Sequence, residues 1–354
     1  MNVLVIGAGP VGLTAALDLA TRGISCRIVE KRAEPSKLSK AVGIMPETIE
    51  KLRRLGAGDA IAAEAMALRK ITFKHGSRLL FCMENAKYEK VMLGLPQSRT
   101  EEILRDALRA RGVSLEYDLS VQEISSGVDT ATVTFSDGAT ATYDWVIAAD
   151  GAHSTVRERL GIGFPGLELP EEWSIADVEV SGPFDAENVT AYCQGPGNVL
   201  VMVLPIENQR VRIVSSTSDA LAALPEPLTI QRVHRTGTFA ISIRQADTYR
   251  QGRVLLAGDA AHCHSPVGGR GMNLGIDDAV AAVAAIVNGT TDQYTAQRHA
   301  LAVSIIRQSE LLRKLVTSNN GIIRLGTTVA FRMIALLPFL QKALMRRLTQ
   351  LKVR

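Results

Sequence analysis

Cysteine is scarce in this 354-residue chain: Cys26, Cys82, Cys193 and Cys263 are scattered, with no CxxC pair among them. That spacing excludes a disulfide framework and a Cys-based zinc module, and points to a reducing compartment. An excess of one charge is also lacking. Lys plus Arg number 40 against 36 acidic residues, and a net charge of +4 is too small to imply a nucleic-acid partner. No window of about twenty apolar residues is available to span a bilayer, because Arg332, Pro338 and Lys342 interrupt the apolar stretches of the tail. The first residues, Met1-Asn2-Val3-Leu4-Val5-Ile6, lack the basic and long apolar regions of a secretory signal, so a cytoplasmic location is expected. Internal repeats and low-complexity segments are absent.

What is present is ordinary globular material, 46% hydrophobic and 21% charged, in a length that favours two domains or one large α/β unit with insertions. Val3–Ile6 reads as a buried parallel strand, Pro10–Arg22 as a helix with Leu13, Ala16, Leu17 and Ala20 on one face, and Ile24–Glu30 as a second strand. Ile71–Leu95 breaks into short antiparallel pieces, and Thr100–Arg111 returns to helical spacing. Tyr143–Ala149 and Arg253–Ala257 are further buried strands. Ile175–Val180, Val199–Leu204 and Arg210–Val214 are expected to share a sheet, and the chain from Met272 onward is mainly helical. Regions of parallel α/β character therefore bracket two β-rich insertions.

Gly7-Ala8-Gly9-Pro10-Val11-Gly12 fits G-x-G-x-x-G after a strand and at the opening of a helix. Its glycines permit a tight turn, let the backbone approach a pyrophosphate and allow close helix–sheet packing, while the helix N-terminus attracts the anion. Glu30, followed by Lys31, ends the second strand, where its carboxylate can accept hydrogen bonds from ribose hydroxyls. This fingerprint alone does not separate FAD from NAD.

Two later segments add to it: Asp150-Gly151-Ala152-His153-Ser154-Thr155-Val156-Arg157, and Gly258-Asp259-Ala260-Ala261-His262 continuing through Pro266, Gly268, Gly269, Gly271 and Asn273. With these three ordered motifs the chain resembles the class A flavoprotein monooxygenases, the para-hydroxybenzoate hydroxylase-like aromatic hydroxylases, over residues 1 to about 290. The resemblance implies an α/β fold. It comprises a Rossmann-like (GR2-type) FAD-binding domain (1–70, 96–165 and 250–290), an inserted mixed β-sheet substrate domain (71–95 and 166–249) and C-terminal helices (291–354). It also implies that Asp259 hydrogen-bonds a ribityl hydroxyl of FAD, and that Gly269 and Gly271 let the backbone pass close to the isoalloxazine ring. The helix opening at Met272 and Asn273 would point its positive end at the flavin edge that gains charge on reduction. Asp150 is associated in the family with both FAD and the reduced nicotinamide, with a structural turn as the alternative. Gln97 and Glu101 match a Q-x-x-x-E pattern whose glutamine contacts the flavin, with a solvated helix start as the alternative. Lys40 stands where the family usually has arginine; it keeps the charge and loses the planar fork.

The implied activity consumes NADPH or NADH and molecular oxygen, and hydroxylates or epoxidises an aromatic or polycyclic small molecule through a flavin C4a-hydroperoxide. The cofactor carries the hard chemistry, which accounts for the lack of a conspicuous acid–base pair. Tyr192, Met202, Leu204 and Arg212, by strand alternation, and Pro266 are the candidate substrate contacts. With no second G-x-G-x-x-G, the nicotinamide is expected to dock transiently. The end of the chain near residue 354 suggests a compact single-component enzyme, monomer or homodimer. A related reductase or halogenase and a non-catalytic FAD-binding module remain the alternatives, although Trp145 and Trp173 are too far apart for the paired-tryptophan motif of halogenases. No G-x-S-x-G elbow supports hydrolase chemistry. His262-Cys263-His264 is too short a run to converge on a metal, so none is expected. In the tail, Leu337, Leu340, Leu344, Leu348 and Leu351 form a stripe with Lys342, Arg346 and Arg347 off it. A helix packed over the flavin domain is the preferred reading, and peripheral membrane contact the alternative.

Overall fold

The computed structural model describes residues 1–36, 41–84, 91–193, 199–318 and 320–349, except the side chains of 345–349. Short apolar runs form its central sheet. Six strands lie in the order Arg250–Gln251, Val254–Leu256, Trp145–Ala148, Asn2–Ile6, Ser25–Val29, Leu115–Glu116. All neighbours are parallel except the edge pair Arg250–Gln251 and Val254–Leu256. Val3, Leu4, Val5, Val146 and Ile147 are wholly buried, as a sheet covered on both faces requires. In chain order the parallel strands read 3-2-1-4-5, the doubly wound arrangement, in which ligands bind where the order reverses. Here that point lies between Asn2–Ile6 and Trp145–Ala148.

One face of the sheet is covered by helices. Pro10–Thr21 packs between Gly271–Asn288 and Gln97–Arg109. The other face carries an antiparallel meander, Val121–Ser126, Ala131–Phe135 and Thr140–Tyr143, whose Val133, Phe135 and Tyr143 enter the same core. This meander is not among the elements expected from the sequence. Its strands alternate threonine and serine with single apolar residues, a pattern that polar turns also produce.

The second sheet has seven strands in the order Thr229–Phe239, Trp173–Ser181, Arg210–Ser215, Val201–Glu207, Asn188–Tyr192, Lys70–His75, Arg78–Glu84. It is antiparallel except for Asn188–Tyr192 beside Lys70–His75, so the expected mixed sheet is observed. Each face has its own apolar cluster. Ile175, Val214, Met202 and Leu204 belong to one, together with Val267 from the loop before Gly271–Asn288. Val178, Tyr192, Val201 and Val211 belong to the other.

The C-terminal region forms helices Tyr294–Thr317, Gly321–Leu336 and Pro338–Thr349. The expected leucine stripe is divided, because the chain leaves helical geometry at Leu337 (φ −116°, ψ 100°) ahead of Pro338, which disfavours a helical predecessor. Contrary to the preferred reading, Gly321–Leu336 packs on the second sheet rather than over the central one: Phe331 meets Phe73 and Phe81 with ring centroids 5.7 and 5.3 Å apart. Leu344 packs against the same cluster, whereas Leu348 and Leu351 lie outside the described side chains.

Candidate active site

The three motifs meet at the reversal of strand order. Gly7 follows Asn2–Ile6 with φ +101°, and a Cβ there would lie 2.4 Å from the Ala149 carbonyl oxygen, next to Asp150. Gly12 sits so close beneath the turn that a Cβ would lie 1.8 Å from the Gly7 carbonyl oxygen. Val11 reaches the third motif: Cβ atoms on Gly258 and Gly275 would fall 2.8 and 2.6 Å from its methyl carbon. Arg157 ties the second motif to the third, donating to the carbonyls of Ala260 (3.1 Å) and Ala152 (3.0 Å).

Gly9 is different. It precedes the helix in extended geometry, no side chain caps the helix there, and a Cβ would meet nothing within 4 Å. Pro10 occupies the first helical position, where its missing N–H is no loss. An uncapped N-terminus facing open space beside a glycine fits a pyrophosphate. Glu30 stands beside it, accepting from the Ala8 amide at 2.8 Å and from the Arg32 guanidinium at 2.9 and 3.0 Å. Burial would raise the Glu30 carboxyl, but Arg32 and the Ala8 and Arg32 amides outweigh it and hold the group below the usual carboxylate range. Lys31 is exposed, and its charge acts on Asp150.

Asp259 is exposed, although Ala257, Gly258, Ala260 and Ala261 around it are buried. Asp150 is turned inward: it accepts from the Ser154 hydroxyl (2.6 Å) and the Val156 amide (3.2 Å), and burial pushes its carboxyl up. Gln97 bridges, accepting from the Ala41 amide at 3.2 Å and donating to Glu101 at 2.9 Å. Burial raises the Glu101 carboxyl, and among the described residues its Oε2 has no hydrogen bond, with Arg105 at 3.8 Å. Lys40 lies outside the described residues.

The loop before Gly271–Asn288 turns through Gly268 (φ +95°) and Gly269 (φ +62°), left-handed geometry that glycine adopts without strain. A Cβ on Gly269 would again meet nothing. Met272 and Asn273 are buried behind this turn. Asn273 donates to the Gly43 and Gly269 carbonyls and accepts from the Met45 amide, clamping the loop to the strand Gly43–Ile44. His264, which sequence reasoning missed, donates from Nδ1 to the Ser265 carbonyl at 2.8 Å. Burial, with His262 and Arg270 nearby, pushes its imidazole down to about 4, so it is neutral. Its Nε2 is buried without a hydrogen-bond partner among the described residues. The open space at Gly9 and Gly269, and the buried acceptors Glu101 Oε2 and His264 Nε2 without a hydrogen-bond partner among the described residues, fit a long, polar-backboned coenzyme.

Pro266, partly buried, precedes Val267, which shares an apolar cluster with Met202 and Leu204. Arg212 lies on that face too, but its guanidinium is held bidentately by Asp177 at 2.7 Å and donates to the Ala41 carbonyl at 3.3 Å. Tyr192 lies on the opposite face, because the register sets it beside Val201 rather than Met202, and its hydroxyl donates to Glu226 at 2.8 Å.

Sequence reasoning also passed over the network behind Asp259. Asp278 accepts from the Gly258 amide (3.1 Å), His262 Nε2 (2.6 Å) and Arg298 Nε (2.6 Å). Arg298 in turn donates to Asp277, which pairs with Lys51. Their spacing in two ordinary amphipathic helices gives no local signal.

Comparison with known proteins agrees with this geometry. The FAD binding domain family matches residues 1–309. The 6-methylpretetramide 4-monooxygenase of Streptomyces rimosus is 29% identical over 91% of this chain, which spans 63% of that protein's length. A 12-dehydrotetracycline 5-monooxygenase/anhydrotetracycline 6-monooxygenase from S. rimosus subsp. rimosus is 32% identical, covering 89% of this chain and 70% of that protein. Among solved structures, the p-nitrophenol 4-monooxygenase PnpA of Pseudomonas putida DLL-E4 superposes with a TM-score of 0.87 at 25% identity, over 99% of this chain and 98% of that one. The chain therefore belongs to the FAD binding domain family, among the class A flavoprotein monooxygenases.

Proposed function

We propose that this chain is an FAD-dependent monooxygenase that uses NADPH or NADH and molecular oxygen to hydroxylate an aromatic or polycyclic small molecule. The observation carrying this reading is the convergence of three motifs at the reversal of strand order, joined through the loop at Val267 to the apolar cluster of the second sheet. Bound FAD supplies the redox chemistry, taking hydride from the nicotinamide and activating oxygen. The protein supplies position, dryness and charge. Gly7, Gly9, Val11 and Gly12 shape the pyrophosphate turn, and Glu30 accepts from ribose hydroxyls once Arg32 shifts. Asp259 accepts from the ribityl chain. Gly269 and Gly271 keep side chains away from the ring, and the N-terminus at Met272 favours negative charge beside it. Gln97 and Asp150 act by fixing Ala41 and the start of Thr155–Arg159. The flavin unit comprises 1–70, 96–165 and 250–290, and the substrate unit 71–95 and 166–249. Met202, Leu204 and Pro266 line an apolar chamber that excludes water, while Arg212 acts by holding Ala41.

The test is NADH and NADPH oxidation with oxygen uptake, measured with and without phenols, N-heteroaromatics and polyketides. A substrate is expected to accelerate both and to yield a product carrying oxygen from labelled dioxygen. If none accelerates flavin reduction, the chain is a binding module instead. Asp259→Ala removes a carboxyl acceptor and is expected to weaken FAD binding about 10- to 100-fold, read by flavin fluorescence on titration. Undiminished affinity would show that the carboxylate does not contact the coenzyme.

A further inference from the structure

The helix Gly321–Leu336 has two apolar faces, and its own fold covers only one. Phe331 is buried against the second sheet, and Thr327 is buried beside the preceding helix, its hydroxyl reaching the Leu315 carbonyl at 3.3 Å. On the other side Ile322, Leu325, Val329, Met333 and Leu336 recur at intervals of three and four, which places them in one stripe. They are 83, 67, 51, 46 and 74% exposed, and Phe339 at the start of the next helix is 65% exposed. Single exposed leucines are unremarkable on a protein surface, but five in helical register form a contiguous patch that marks an interaction site.

Charge identifies what covers the patch. Arg324 and Arg332 on the same helix are both exposed; by helical position Arg332 borders the stripe, whereas Arg324 lies on the far side, next to Phe331. From Gly321 to Arg354 the sequence has seven basic residues and no acidic one. Among the described residues no single helix is long and apolar enough to cross a membrane, and Gly321–Leu336 bends by 112° against Pro338–Leu344. Such a pair suits the plane of a bilayer rather than a crossing.

We propose that this face docks on an anionic lipid bilayer, the apolar stripe entering the acyl boundary and Arg332 at its edge meeting the headgroups. A second copy is a poorer occupant. Pairing two such stripes would set Arg332 against a segment that has no carboxylate, whereas anionic headgroups compensate it directly.

The test is flotation of the FAD-loaded full chain with vesicles of phosphatidylcholine alone or mixed with phosphatidylglycerol. Binding is expected to the mixed vesicles, at least about tenfold stronger than to phosphatidylcholine alone, and weakened by salt. Leu325→Glu with Val329→Glu lies on an exposed surface, so FAD content and thermal midpoint should hold while vesicle partition falls more than about tenfold. Arg332→Gln should lower binding about fivefold on anionic vesicles only, while Arg324→Gln, on the far side of the helix, should change it less than about twofold. The proposal is overturned if the unaltered chain stays in solution with both vesicle types. It is also overturned if light scattering finds a dimer that Leu325→Glu with Val329→Glu converts to monomer without changing flotation, which assigns the face to a second copy.

Discussion

Gly12→Ala is expected to lower the stability of the protein by about 3–5 kcal/mol and abolish FAD uptake, whereas Gly9→Ala leaves stability within about 0.5 kcal/mol and weakens FAD about 10- to 100-fold. The two residues belong to one motif but meet opposite surroundings. A Cβ on Gly12 would be 1.8 Å from the Gly7 carbonyl oxygen and 3.0 Å from its carbon. Both atoms are backbone held by the Gly7 amide's bond to the Val29 carbonyl, so nothing flexible can yield. Either the turn or the helix must move, and both are core.

At Gly9 the backbone has φ −77° and ψ −178°, which any residue adopts, and the added methyl meets empty space. The folded chain therefore has no reason to prefer glycine there. Only a ligand lying against the turn does. Chemical denaturation and flavin titration on both variants separate the cases. Equal FAD affinity for Gly9→Ala and the unaltered chain would mean that the pyrophosphate does not rest on this turn, and the site would have to be sought elsewhere.

That contrast also marks how far the sequence could be read. The strand, turn and helix from Asn2 to Thr21 were legible because the signals are local: a short apolar run, glycines at fixed offsets and helical spacing. The same holds for Trp145–Ala148 and Val254–Leu256, and for the mixed sheet in outline. What was not legible depends on pairing across the chain. Tyr192 and Met202 both looked like inward residues, but only the register Tyr192–Val201 reveals that they face opposite ways. Arg212 looked available to a substrate, but Asp177, thirty-five positions away in sequence, holds two of its three guanidinium nitrogens. The outer stripe of Gly321–Leu336 was obscured by leucines on either side of Pro338, whose periodicity runs across a helix break.

The buried network around Asp278 was the largest omission, and Arg298→Met is expected to lower stability by about 3–5 kcal/mol at neutral pH. By comparison, Arg109→Gln, which removes a largely exposed partner of Asp106, should stay within about 0.5 kcal/mol. Asp278 is 1% exposed, and burial alone would raise its carboxyl. His262 and Arg298 overcome that and hold it below the usual carboxylate range. A carboxyl depressed in this way contributes stability above its ordinary pKa, about 4, and the contribution is lost as pH falls through the folded value. In Arg298→Met one of the two groups opposing burial is gone, so the variant's carboxyl lies higher than the unaltered one. The gap between the two proteins is thus full at neutral pH and narrows on acidification, as the variant's carboxyl titrates first and the unaltered one later. A gap of the same size at pH 7 and at about pH 3 would assign the loss to the packing of the arginine stem rather than to its charge. Because Asp278 also holds the Gly258 amide, the residue before Asp259, the variant should bind FAD more weakly even where it remains folded. Arg298→Lys should restore part of the stability through its charge, but less of the affinity, since a single ammonium cannot hold Asp277 and Asp278 in the geometry that fixes the turn.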